Sequence, residues 1–543
     1  MTASTSTLTP DTTAVSGAVA DAETQQSPTL DLANLTGLDK YRATITAMAR
    51  GARDDYPRWL SHIHGAAGCT QPIRLTGRLR TRTVNTQTGQ IITETPPVPT
   101  AAMPDGVIYK ACGNRRSAVC PSCAEIYRAD AYQLVAAGLK GGKGIPDTVA
   151  GHPAIFATLT APGFGIVHTT RTNKKGKPAP CRARKIPDLC RHGVDRRCMR
   201  RHQDGDHQLG TPLCVDCYDY DHHAVWNSQA SELWRRTTIA ANRLLARYAK
   251  DHGHAEKARI SFGKCAEFQR RGLVHFHILA RFDGINDDDR DEVIPPPAWA
   301  NTFLLIWVLR EAAQQTRFHT QGLVLDDHQH NLIDRPEGWA ITWGGQVDIR
   351  PVRVRGDDPL SEQRVAGELD HTGRRRMLTG NAVAGYLAKY ATKATEAAGH
   401  TSRRLTPSTV DHYATNTHPG RIIRSCWRLG SRGLQTTTEW KDSQYYRLQR
   451  WAHMLGYGGH FFTKSRRYST TFRILRKARV DYRRAHHERQ EHLEENEHIE
   501  TIAELVYAGT GWHTTGDALL ANTAAALARE HRHIAREEIA TTA

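Results

Sequence analysis

Two histidines and a carboxylate stand at spacings that suit one metal ion. Residues 270 to 279 read Arg-Arg-Gly-Leu-Val-His-Phe-His-Ile-Leu. Side chains on a strand alternate faces, so His275 and His277 point the same way while Val274, Phe276 and Ile278 point into a core. Cys265-Ala266-Glu267-Phe268-Gln269 precedes a turn at Arg270 to Gly272. A hairpin of 264–269 and 273–279 sets Glu267 opposite His275. Two imidazoles and one hard oxygen leave coordination positions open, as a catalytic metal requires. A slip of one residue would offer Gln269 instead, although it would also invert the faces. The spacing alone is weak, because the chain has 29 histidines. His62/His64, His252/His254, His328/His330 and His531/His533 share it without comparable strand-like flanks.

Further along, Tyr386-Leu387-Ala388-Lys389-Tyr390-Ala391-Thr392-Lys393 supplies the nucleophile such a metal would serve. Asn381 to Glu396 reads as a helix, with Val383, Leu387 and Ala391 near one stripe. Tyr386 and Tyr390 then lie one turn apart on the same face, and Lys389 and Lys393 share that edge. A phenol, with a pKa of about 10, is a poor nucleophile at neutral pH. A nearby ammonium favours phenolate and can pair with a phosphate. An amphipathic helix with two aromatic core contacts is the bland reading, and the repeated Tyr-x-x-Lys unit weakens it.

The elements that must position these groups follow from periodicity. A strand begins at Ile155, a long helix spans Ala224 to Ala249, another runs from Ala298 to Thr316, and Gln346 to Val352 alternates as a strand. Asp357 to Thr379 reads as a loop before the tyrosine helix, and Glu125 to Leu139 as a helix. Strands interleaved with helices predict an α+β layered fold.

Eleven cysteines, an odd number, argue against a fully paired disulfide framework, and no secretory signal is present. Eight fall into two groups, each with one Cys-x2-Cys knuckle. They are Cys69, Cys112, Cys120 and Cys123, and then Cys190, Cys198, Cys214 and Cys217. Four thiolates at such spacing suit tetrahedral zinc, so two structural ions are expected. His192, His202 and His207 make a Cys3His set an alternative for the second. Residues 168–215 lack hydrophobic periodicity and need a metal to order them. Cys265 and Cys426 read as buried thiols, and Cys181 stays unassigned. A redox Cys-x2-Cys lacks its strand–helix setting here.

The net charge of +17 and pI near 9.5 point to a polyanionic partner. Nine of the 21 residues from Lys464 to Arg484 are Lys or Arg, against one Asp. Tyr457, Phe461, Phe462, Tyr468, Phe472 and Tyr482 interleave with or flank them, as in segments that contact phosphates and stack unpaired bases. A solvated basic helix is the alternative. No apolar run approaches the roughly 20 residues of a membrane span, so a cytoplasmic protein without membrane contact is expected.

Five regions follow. Residues 1–36 read as a disordered tail, and 37–145 as an accessory zinc-binding unit. Residues 146–400 form the catalytic domain, with a zinc-binding insert at 168–222. Residues 401–487 form a basic helical DNA-binding region, and 488–543 an acidic and Ala-rich tail. Within that tail, Glu488 to Glu504 shows a weak helical pattern, and Asp517 to Ile539 reads as a helix. No Walker A loop is present.

Phe156-Ala157-Thr158-Leu159-Thr160-Ala161-Pro162, then His-Phe-His, then Tyr-x-x-Lys-Tyr-x-x-Lys, resembles the three-motif order of HUH endonucleases. The doubled tyrosine is similar to the two-tyrosine branch. The wider pattern resembles RepSA-type initiators of actinomycete plasmids and integrative elements, over roughly residues 60 to 480. Supporting stretches are Cys112-Gly113-Asn114-Arg115-Arg116, Leu233-Trp234-Arg235-Arg236-Thr237 and Arg450-Trp451-Ala452-His453-Met454-Leu455-Gly456.

The resemblance implies a central antiparallel sheet with a ferredoxin- or RRM-like core. It implies Mg²⁺ or Mn²⁺ held by His275 and His277 with Glu267 as third ligand. Tyr390 matches the primary nucleophile and Tyr386 the second, with Lys393 and Lys389 beside them. The implied reaction is nicking of one strand of origin DNA, single-stranded at the nick, to leave a 5′-phosphotyrosine and a free 3′-OH for rolling-circle replication. A bacterial host helicase and replication machinery are implied partners. A relaxase or transposase of the same class is the rival within this chemistry. A non-catalytic zinc-containing DNA-binding regulator is the rival outside it.

Overall fold

The computed structural model describes residues 37–173, 176–326, 332–354, 378–398, 404–431, 443–490 and 496–542. The tail expected over 1–36 lies outside these residues, as does most of the loop expected over 357–379. The described chain divides into two compact units. One is Tyr132–Thr470; the other joins residues 37–131 to 471–542. No helix among the described residues is long and apolar enough to cross a membrane.

The first unit is built on a six-stranded sheet. Its strands are β1 (Ala154–Leu159), β2 (Ala258–Phe268), β3 (Val274–Gly284), β4 (Val347–Arg353), β5 (Leu378–Thr379) and β6 (Phe462–Lys464). They lie in the order β5-β4-β1-β3-β2-β6. Every neighbouring pair is antiparallel except β4 and β5. With its helices this makes a mixed, largely antiparallel α+β structure. The helices are α1 (Tyr220–Asp251), α2 (Thr302–Gln315), α3 (Gly380–Tyr390) and α4 (His418–Leu429). Each begins at a side-chain cap: Asp219, Asn301, Thr379 and Thr417 accept from backbone N–H groups of their first turns.

Alternation along the strands sorts the sheet into two faces. Ile155, Ala157 and Leu159 of β1, Ala266 and Phe268 of β2, and Phe276, Ile278, Ala280 and Phe282 of β3 share one buried core. Trp226 and Leu233 of α1, Leu305 and Val308 of α2, and Ile422 of α4 complete it. Each fully buried Ile, Leu, Val or Phe of this set contributes about 1.5–3 kcal/mol, so a one-residue slip would sacrifice the whole set and register is fixed. The intervening residues, Phe156, Thr158, Glu267, His275 and His277, are left for the opposite face.

That face also carries a buried ionic group at the far end of β3. Arg281 donates to the Asp283 carboxylate at 2.6 Å and to the carbonyl oxygens of Gly138 and Tyr468. His152 lies 2.9 Å from the same carboxylate. Burial pushes the Asp283 carboxyl upward, but His152 and the Arg281 charge outweigh it and hold it below the usual carboxylate value. Its folded value is depressed, so the stabilisation is present above the unfolded value and lost as pH falls through the folded one. Asp283→Ala strands a buried guanidinium and is expected to cost about 3–5 kcal/mol. Asp283→Asn is expected to flatten the acid limb of stability against pH. Denaturant melts over an acid pH series check both, and an unchanged midpoint in Asp283→Ala would refute the assignment.

Two sequence expectations are corrected. The tyrosine helix ends at Tyr390, six residues before Glu396. The Thr392 hydroxyl takes the Lys389 carbonyl at 2.8 Å and so competes with helix continuation. In the second unit, the weak helix read over 488–504 gives way from Glu497 onward to a strand, Glu497–Thr510, which pairs antiparallel along Ile73–Asn85; residues 488–490 end a helix and 491–495 lie outside the described residues. Ile499, Thr501, Ile502, Val506 and Tyr507 favour that state. Glu500, one of the acidic residues of that stretch, lies opposite Arg82 and pairs with it at 2.7 Å. A small core of Trp59, Ile63, Val107, Tyr109 and Ala521 fills this unit.

The basic segment is corrected too. Lys464 ends β6 and a helix spans Phe472–Gln490, but Tyr457, Phe461, Phe462 and Tyr468 are buried in the first unit and offer no face for base stacking. Phe472 stacks on Tyr127, which leaves Tyr482 as the exposed aromatic of the six.

Candidate metal and nucleophile site

The β2–β3 hairpin has the register its turn predicts, with Glu267 opposite His275. Gly272 sits at φ +79, a left-handed conformation that costs glycine little, and its N–H closes the turn onto the Gln269 carbonyl. The rival ligand Gln269 is used elsewhere: its Oε1 accepts from Arg271 Nε at 2.8 Å.

Below the turn, buried side chains fix its position. Asn227 of α1 donates to the carbonyls of Gly272 and Leu455 at 2.9 and 2.8 Å and accepts from the Val274 N–H at 3.1 Å. His223 donates to the Gly272 carbonyl and His418 to that of Arg271, each at 2.9 Å. Asn227→Ala would take this partner from the Val274 N–H and the Leu455 carbonyl and leave the Gly272 carbonyl with His223 alone. At about 1 kcal/mol or more for each, a loss of about 2–4 kcal/mol is expected. Thermal melting measures it, and a drop within error of zero would contradict this account.

Glu267 Oε2 lies 3.0 Å from both His275 Nε2 and His277 Nε2. One ligand atom from each residue lies within 4.8 Å of the others, close enough for a shared ion. Thr158 Oγ1, on the neighbouring β1, is 3.1 Å from His277 Nδ1. It can take the Nδ1 proton, which leaves Nε2 as the ligand atom. Phe156 stacks on the same ring at 5.7 Å. Burial pushes the Glu267 carboxyl up, but hydrogen bonds with both histidines outweigh it and bring it down to about 2. Burial, with the nearby His275, brings His277 down to about 4. The set is therefore an ionised carboxylate and a neutral imidazole at neutral pH, as metal ligation needs. Two nitrogens and one oxygen suit a divalent ion with open positions.

The tyrosine helix brings both phenols to this triad. Tyr386 Oη is 3.2 Å from His277 Nε2, and its ring meets the imidazole edge-on at 4.9 Å. The Tyr390 ring lies 4.4 Å from that of Tyr386 and 5.9 Å from His277. Burial first, then the Glu267 charge and Tyr390, push the Tyr386 phenol well above its ordinary value. It is therefore a protonated hydroxyl at neutral pH. Lys393 lies beyond the helix but returns its Nζ to 4.5 Å from the Tyr390 ring. Lys389 is half-buried on the helix itself.

Among the described residues, cysteine and histidine form three more clusters that could bind zinc. Cys69, Cys112, Cys120 and Cys123 come together as expected from their order, with sulfur separations of 3.8 Å (Cys69–Cys120) and 3.7 Å (Cys112–Cys123). Tetrahedral zinc with bonds of about 2.3 Å separates two sulfurs by about 3.8 Å. The second expected set is split. Cys190, Cys214 and Cys217 are joined by His192, whereas Cys198 stands with His168, Cys181 and His202. Cys181 is thereby placed, and where two zinc sites were expected, the described residues hold three clusters that could bind zinc. His207 is outside both clusters, with its side chain 88 % exposed. His168 carried no signal by spacing; the short intervals Cys190-x-His192 and Cys198-x3-His202 did. Cys265 and Cys426 are fully buried.

A family model described as RepSA, replication initiator protein, pSAM2, matches residues 55–526. The chain belongs to this family. It is a replication initiator whose similarity extends over both compact units. A curated relative named "Replication initiator protein", from Streptomyces ambofaciens, is 37% identical over 499 residues, 89% of this chain and 93% of that one. No solved structure matches the initiator.

Proposed function

We propose that this initiator nicks one strand of origin DNA by HUH-type chemistry. The observation that carries the reading is the Tyr386 hydroxyl 3.2 Å from His277 Nε2, with Tyr390 packed beside it and Glu267 bridging both histidines. The β1–β3–β2 arrangement supports an HUH-type core: three adjacent strands contribute Thr158, the two histidines and Glu267 to one face.

His275, His277 and Glu267 would hold Mg²⁺ or Mn²⁺, which supplies Lewis-acid polarisation of the scissile phosphate. A tyrosine oxygen attacks phosphorus in line, the bond to the 3′ oxygen breaks, and a 5′-phosphotyrosine forms. The phenol gives up its proton and the departing 3′ oxygen gains one, which yields a 3′-OH primer. Lys393, close to Tyr390, favours the phenolate. The second tyrosine makes the later transesterification that closes a circle. Because the phosphodiester energy is kept in the covalent link, ATP is not needed for cutting. Duplex unwinding falls to a host helicase, and the DNA at the nick is single-stranded.

The test is incubation with origin oligonucleotides and Mn²⁺, followed by a denaturing gel. A covalent protein–DNA band is expected. Strands left intact across all divalent metals would favour the regulator reading, and cleavage confined to a transfer origin or element end the relaxase or transposase reading.

A further inference from the structure

The split of the insert's ligands has a pattern. In chain order they form four pairs: His168/Cys181, Cys190/His192, Cys198/His202 and Cys214/Cys217. The first and third pairs make one cluster, and the second and fourth make the other. The two clusters therefore interleave along the chain. We propose that residues 168–217 form a cross-braced module closed by two zinc ions, and that its basic face grips duplex DNA beside the cleavage hairpin. The DNA half rests on the nicking function proposed above.

The donor geometry fits both ions. With bonds of about 2.3 Å to sulfur and 2.0–2.1 Å to nitrogen, tetrahedral zinc sets N–S pairs about 3.6 Å and N–N pairs about 3.3 Å apart. In the first cluster, Cys198–His202 measures 3.4 Å and His168–His202 3.1 Å. In the second, His192 Nδ1 lies 3.3 and 3.7 Å from Cys217 and Cys214. His202 also turns its other nitrogen to Asp206 Oδ2 at 2.6 Å, the carboxylate support typical of a metal-bound imidazole. The insert has no apolar core to replace the ions. Of its described buried side chains three are ligand cysteines, one is His202, and only Leu209 and Pro212 are apolar, while Ile186, Leu189 and Met199 are 63–76 % exposed. A segment that exposes its aliphatic residues must take its folding energy from metal.

The module is seated on the turn that carries the active-site strands. A Cβ on Gly210 would lie 2.6 Å from Arg271 N and 2.7 Å from Arg270 C, so the contact is backbone to backbone. Asp206, the residue that orients His202, also accepts from Arg270 through its carbonyl at 3.5 Å. Away from the turn, charge decides the partner. The 168–217 stretch holds 12 Lys and Arg against five Asp and no Glu. Arg184, Lys185, Arg200 and Arg201 are exposed close in sequence to Ile186 and Met199. Cations around projecting aliphatic side chains match a bent duplex, where such side chains wedge between base steps in the minor groove.

Two measurements on the full chain decide the matter. Metal analysis of the purified protein is expected to give three zinc ions, counting the Cys69 cluster, and one zinc or none would overturn the module. In Cys181→Ser, the interleaved loops are expected to release both ions of the insert, leaving one. Loss of a single ion would mean two independent sites. The second measurement uses Arg184→Gln/Lys185→Gln, which touches no ligand. With zinc content unchanged, affinity for a short duplex of arbitrary sequence is expected to fall at least tenfold, with the slope of log K against log salt reduced by about 2. Unchanged duplex affinity would overturn the DNA face. Adduct formation by the same variant on a pre-melted single strand reports on nicking separately, and is expected to persist.

Discussion

Tyr386→Phe/Tyr390→Phe is expected to form no covalent adduct, a loss of at least about 10³-fold in cleavage, while DNA binding stays near that of the parent. The change removes two oxygens and no packing surface, but it also removes the hydrogen bond between Tyr386 and His277, so a stability loss of about 1 kcal/mol is expected. The single variants separate the roles. The family resemblance gives first attack to Tyr390, yet it is the Tyr386 hydroxyl that lies 3.2 Å from His277. This contact favours Tyr386→Phe as the variant that loses the first adduct, with Tyr390→Phe impaired mainly in circle closure. Both phenols face one triad, so partial substitution of one for the other is built into the geometry. The opposite pattern in the single variants would reverse the order of attack. An adduct surviving in the double variant would remove both residues from the chemistry.

His275→Ala/His277→Ala is expected to lose Mn²⁺-dependent cleavage to a similar extent, again with binding retained. Removing the imidazoles leaves the Glu267 carboxylate, half-buried on the sheet, without the hydrogen bonds that hold it down at about 2. One carboxylate cannot fix the position of a divalent ion, so the Tyr386 phenol keeps its proton and the phosphate keeps its full charge. Chelation of the parent protein with EDTA should reproduce the defect, and added Mn²⁺ should restore the parent and not the variant. Normal cleavage by the variant would show that the triad is not the metal centre.

The triad was legible because short-range rules place it. Strand alternation puts His275 and His277 on one face, and a tight turn with Gly272 sets Glu267 across from them. The tyrosine pair was legible for a similar reason, one helical turn. What could not be read depends on distant contacts. Thr158 behind His277 comes from a strand more than a hundred positions earlier, and Thr supplies no periodic signal. Grouping cysteines by nearness in the chain failed in the insert because its Cys and His pairs alternate between two clusters. Tyr457 and Tyr468 looked like stacking platforms among arginines, but an aromatic residue beside a cation is also what a core boundary looks like. The 497–510 strand was hidden by glutamates whose partners, such as Arg82, lie 418 positions away.

That last separation sets a condition on how the protein is made. The edge presented by residues 73–85 emerges from the ribosome early, and the strand that covers it is synthesised only after the whole catalytic sheet. Through most of translation the nascent chain therefore carries an open, arginine-rich β-edge, and closing so long a loop is slow. Arg78, Arg80 and Arg82 put like charges at alternate positions of that waiting edge, which disfavours its pairing with a second copy of itself.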